Sequence, residues 1–141
     1  MENDMTRTFL RLVALAFALA GCSASADTAA AEAGVPRFHQ LLDAGKFVEI
    51  YEQSSEDLKK TATQQDFVAL LEAVHRKLGN TKSSDKQGWN INYHPSGTFV
   101  TLTYKTVYAE GEAGEQFVFR MQGHAAALVG YHINSTALIL K

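Results

Sequence analysis

Hydrophobic residues recur at helical spacing in the first part of this chain and alternate with polar ones in the rest. Phe38, Leu41 and Leu42 share one face of a helix that Pro36 can open, because a missing N–H costs nothing in a first turn, and Gly45 closes it. Phe47, Ile50 and Tyr51 repeat that spacing in a short second helix, which fades at Gln53-Ser54-Ser55. Thr63 with Asp66 forms a near capping box ahead of Phe67, Leu70, Leu71, Val74 and Leu78, and Gly79 ends this third helix. The period then changes to two. Trp89, Ile91 and Tyr93 point one way, His94-Pro95-Ser96-Gly97 turns the chain, and Val100, Leu102, Tyr104, Thr106 and Tyr108 alternate through a long strand. After a loop at Glu110 to Gly114, Phe117, Phe119 and Met121 form a third strand. Gly123 leads into a fourth from about Ala126 to Ile133, with Val129, Tyr131 and Ile133 on one face.

Three helices followed by four hairpin-linked strands predict an α+β fold in which N-terminal helices pack on a curved four-stranded antiparallel sheet. Because sheets coil as they twist, the helices and the concave face can enclose a cone-shaped pocket, with Tyr51, Trp89, Tyr104, Phe119 and Tyr131 as candidate lining residues. Residues 35–141 form this domain. Residues 22–34, small and poor in large apolar side chains, read as a flexible tether, although their alanines could also extend the first helix backwards.

Arg7 and Arg11 precede an apolar run from Leu12 to Ala20, and Leu19-Ala20-Gly21-Cys22 closes it. The run falls well short of the roughly 20 apolar residues that a membrane-spanning helix needs, so residues 1–21 are expected to be a removed signal. Glu2 and Asp4 fit poorly in such a cationic start, so Met5 is the expected initiator. The segment resembles bacterial lipoprotein signal peptides. That resemblance implies cleavage between Gly21 and Cys22, a diacylglyceryl thioether on the Cys22 sulfur and acylation of the new amino group. Each buried methylene contributes about 0.8 kcal/mol, so two or three acyl chains anchor permanently. In a Gram-negative host, Ser23 in place of an aspartate favours the outer membrane over the inner one.

The net charge of −2 excludes a basic footprint for nucleic acid, and no polybasic stretch is present to hold anionic headgroups. Cys22 is the one cysteine, so no intrachain disulfide can form.

Leu42-Asp43-Ala44-Gly45-Lys46-Phe47 with Tyr51, the helix from Phe67 to Gly79, Pro95-Ser96-Gly97 with Tyr104, Thr106 and Tyr108, and Gly130-Tyr131-His132-Ile133 resemble in their order the DUF4019 family of bacterial envelope domains. The resemblance implies a shape related to NTF2-like and cystatin-like folds. It supplies no catalytic residues. The chain departs from it at Gln122-Gly123-His124-Ala125-Ala126-Ala127, where the family pattern would place an acidic-glycine turn and a tryptophan.

His39, His75, His94, His124 and His132 show no short metal-ligand spacing, so structural or solvent-facing roles are expected, and neither a metal nor a cofactor is called for. Asp43 with Tyr51, Tyr104 or Tyr131 has the atoms for acid–base chemistry, but Asp43 lies beside a helix end where an exposed turn is the more natural reading. The leading expectation is a lipid-anchored, periplasm-facing envelope protein with a non-enzymatic domain that binds a small ligand or an envelope protein. An isomerase or hydrolase is the alternative, and an accessory subunit of an envelope complex is a third. An enzyme should hold a carboxylate inside the cone within reach of a tyrosine, a binding module should have a deep apolar cavity, and an interaction subunit should have a filled cone.

Overall fold

The computed structural model describes residues 24–140, so the signal segment with Gly21 and Cys22 lies outside the described residues. Helix α1 spans residues 24–43. It begins well before Pro36, taking up most of the stretch that composition alone reads as a tether, because that stretch is rich in alanine, and its Ala31, like Val35 just after it, is buried in the core. Pro36 therefore sits inside the helix, where it has no N–H to offer the carbonyl one turn earlier. At the other end, Gly45 takes a φ of 71°, Lys46 N–H bonds the Leu41 carbonyl at 2.9 Å and Gly45 N–H bonds that of Leu42 at 3.0 Å. These two bonds satisfy two of the carbonyls that the helix end leaves without a partner.

Helices α2 (Phe47–Gln53), α3 (Glu56–Thr61) and α4 (Gln64–Leu78) follow. Periodicity alone does not predict α3, since Leu58 is its one buried residue. Its ends hold it: the Ser55 hydroxyl accepts from Leu58 N–H, Glu56 and Asp57 occupy the first turn, and Lys59 and Lys60 the last. The capping box of α4 forms as read, with Thr63 Oγ1 accepting from Asp66 N–H at 3.1 Å and donating to Asp66 Oδ2 at 2.7 Å.

Strands β1 (Thr81–His94), β2 (Gly97–Tyr108), β3 (Gly111–Gln122) and β4 (Ala125–Asn134) make one antiparallel sheet in that order. The sheet curves without closing. The loop expected at Glu110 to Gly114 shrinks to a tight turn at Ala109 and Glu110, and β3 starts at Gly111. In β4 the register skips between Val118↔Gly130 and Phe119↔Leu128, which leaves Val129 as a bulge. Tyr131 and Ile133 face inward as expected, but before them Leu128 rather than Val129 does so, since a bulge shifts the alternation by one. Helix α5 (Thr136–Leu140) follows β4; Ala137 and Leu138 pack on the core, while Ile139 and Leu140 are exposed.

The concave face meets α1 over a core centred on Phe117, which is fully buried. Phe38 packs edge-on to it at 5.1 Å between ring centroids, and Tyr131 lies at 5.2 Å. A Cβ on Gly34 would come within 2.7 Å of Phe119, so α1 approaches the sheet as closely as a glycine allows. These rings occupy the centre of the space between α1 and the sheet.

Candidate functional site

Alternation along β3 puts Ala113, Glu115, Phe117 and Phe119 on the concave face, so one acid falls in a row of apolar residues. Glu115 is 3 % exposed. An unpaired carboxylate there would be prohibitively costly, and four donors meet it. Tyr108 and Tyr131 hydroxyls donate to Oε1, each at 2.6 Å. His39 Nε2 donates to Oε2 at 2.8 Å and the Thr106 hydroxyl at 2.5 Å. Thr106 gives its proton to Glu115, so Ser84 Oγ, 2.8 Å away, is the donor to Thr106. The chain of bonds joins β1, β2, β3, β4 and α1 through one side chain.

The electrostatics follow from this packing. Burial pushes the Glu115 carboxyl up, but the hydrogen bond and charge of His39, with the hydroxyls of Thr106 and Tyr108, outweigh it and hold the group below the usual glutamate value. Burial and then the Glu115 charge raise the hydroxyl pKa of both Tyr108 and Tyr131 far above the usual tyrosine range. Both phenols therefore remain donors. A carboxylate offers about four lone-pair positions, and four donors occupy them here, so no acceptor is left for a substrate proton.

The candidate lining residues do not converge on one cavity. Tyr131 joins the Glu115 cluster, Phe119 lies beneath Gly34, and Tyr104 is half-buried edge-on to Phe117. Tyr51 donates to the Ala62 carbonyl at 3.0 Å and packs on Phe67, linking α2 to the end of α3. Trp89 is 57 % exposed on β1. The void between α1 and the β3–β4 side of the sheet is only about 70 Å³, lined by residues such as Gly34, Phe38 and Leu128. A groove of about 390 Å³ runs between α3, α4 and the edge strand β4, past Leu70 and His132.

Asp43 is not part of the buried cluster. Its Oδ1 accepts from Thr81 N–H at 2.9 Å and from the Thr81 hydroxyl at 3.2 Å, pinning the start of β1 to the end of α1. The carboxylate within reach of Tyr131 is Glu115 instead. The signal for it is an acid in the otherwise apolar inward row of β3, near the equally inward Thr106 and Tyr108. Among the histidines, His39 is buried in the cluster and His75 packs beside Phe47. His94 pairs with Ser96 in a turn, and His124 and His132 are exposed. Among the described residues, no group of three or more His, Cys, Asp or Glu could hold a metal, and no helix is long and apolar enough to cross a membrane.

A family model described as a protein of unknown function, DUF4019, matches residues 35–131, more than half of the chain. The chain belongs to the DUF4019 family. The matched stretch contains Ser84 and all five side chains of the buried cluster, and ends on Tyr131. The DUF4019 match begins inside α1, so the first turns of that helix precede it. A comparison with curated proteins finds no match.

Proposed function

We propose that this chain is a lipid-anchored envelope protein whose DUF4019 domain acts through its surface, as a non-enzymatic binding or interaction module facing the periplasm. The observation that carries the second half is the saturated Glu115 carboxylate, which leaves no acceptor for a substrate's proton, beside a void of only about 70 Å³ between α1 and the β3–β4 side of the sheet. The first half draws on Leu19-Ala20-Gly21-Cys22 at the end of an apolar run, with Ser23 favouring the outer membrane. Helices leading into a curved antiparallel sheet also suit an NTF2-like or cystatin-like relationship.

The test is the protein made in a host that processes lipoproteins. Intact mass should give a chain that starts at Cys22 and carries acyl groups, and Cys22→Ser should abolish them and release the domain from membranes. Native mass spectrometry of the same preparation should then show a copurified ligand or protein held at the surface. A chain recovered whole, unacylated and cytosolic contradicts the proposal.

A second reading, a small-molecule isomerase or hydrolase, draws on the convergence of Tyr108 and Tyr131 on one oxygen of Glu115. It requires the cluster to open. Hydrogen exchange at the β3 amides around Glu115 as slow as global unfolding would refute it.

A further inference from the structure

Trp89, Ile91 and Tyr93 pair across to Leu102, Val100 and Thr98, so they lie on the same concave face as the core. Yet Trp89 is 57 % and Tyr93 62 % exposed. From Gln87 to Tyr93 no side chain is charged. Lys86 and Glu32, which line the groove beside Trp89, pair with each other at 2.5 Å.

Trp89 also lines an open groove of about 480 Å³ with Ala24, Thr28 and Ala29, the first turns of α1. Cys22 precedes Ala24 by two residues. At 3.8 Å per Cα step, its Cα lies within about 8 Å of Ala24 in any conformation. No long spacer separates the cysteine from this face.

We propose that the row Trp89, Ile91 and Tyr93, with the first turns of α1, is the face by which the domain rests on the phospholipid bilayer that holds Cys22. The inference depends on the lipid anchor of the preceding reading. Three features select a bilayer as the occupant. The chain leaves the domain beside Trp89, so acyl chains on Cys22 bring this face and not the β4 side to the headgroups. Tryptophan and tyrosine, apolar with one polar atom, are the side chains that favour the boundary between headgroups and acyl chains. Residues 87–93 bring no charge to the bilayer, and Glu32 and Lys86, which border the groove, neutralise each other, so desolvation costs little along the Trp89 row. Tethering supplies a high effective concentration, so a contact too weak to recruit a free protein suffices here.

Trp89 is the one tryptophan of the chain, which makes its emission a direct reporter. The full lipidated chain is placed in phosphatidylcholine vesicles with bromine at defined acyl positions, and Cys22→Ser in solution is the reference. Trp89 emission is expected at shorter wavelength than in the reference, quenched most by bromine nearest the headgroups, and shielded from acrylamide. Raised salt should change all three little, because Lys86 and Glu32 beside the groove pair with each other rather than with the zwitterionic headgroups.

A chain whose mass carries the lipid and which floats with the vesicles, but whose Trp89 emission matches the reference and resists bromine, overturns this inference and leaves the anchor standing. A chain without lipid overturns both. Shielding of Trp89 in the Cys22→Ser chain that disappears on dilution assigns the face to a second copy instead. Shielding that needs an added envelope protein assigns it to that protein.

Discussion

Two parts of the same concave face have opposite fates. On β3 and β4, inward residues such as Phe117 and Tyr131 are sealed beneath α1, and even a carboxylate is accommodated. On β1, Trp89 and Tyr93 point the same way and are mostly exposed. Facing inward on the pleat makes a residue available for burial, but the path of the covering helix decides. Helix α1 crosses from Trp89 at its start, past Phe119 and Phe117, to Thr81 at its end, and so leaves the far part of β1 uncovered.

The largest break in this contrast comes from Glu115→Ala. It strands His39, Thr106, Tyr108 and Tyr131 without their shared acceptor, and loss of one partner from a buried charged cluster costs about 3–5 kcal/mol. Urea unfolding followed by circular dichroism should show that loss, or a domain that no longer folds. Alkaline titration is next. Folding raises the pKa of Tyr108 and Tyr131, so their contribution is complete below the unfolded tyrosine value of about 10 and is lost as pH rises beyond it. The urea midpoint should therefore fall above that pH, and less so in a Tyr108→Phe, Tyr131→Phe variant.

Removing one donor is milder. Tyr131→Phe keeps the ring against Phe38 and Phe117 but takes a hydrogen bond from the carboxylate, for a loss of about 2 kcal/mol. Trp89→Ser sharpens the comparison from the other side. Although its Cα is paired with that of Leu102, which is fully buried, the change should stay within about 0.5 kcal/mol in the same urea assay.

The elements with a strong period were legible in the sequence: α4 with its Thr63 cap, the Gly45 stop of α1, and the hairpin order of the strands. What escaped had other physical origins. Helix α3 depends on caps and end charges rather than an apolar stripe, and Pro36 hid the earlier start of α1 because a proline most naturally opens a helix. The Val129 bulge inverts the alternation on which a face assignment rests. The cluster escaped because its members come from α1, β2, β3 and β4, and Glu115 adjoined a stretch that reads as a loop. Alternation places Tyr131 inward, but it does not reveal that the hydroxyl donates to a buried acid.

The account rests on Glu115 being an ionised carboxylate with every acceptor position filled. The direct measurement is its side-chain carboxyl ¹³C shift in the folded domain as pH is lowered. The account predicts a titration below the usual glutamate value of 4.5, with stability present above that pH and lost as pH falls through the folded value. A Glu115 that titrates at or above 4.5 while the domain stays folded would contradict it.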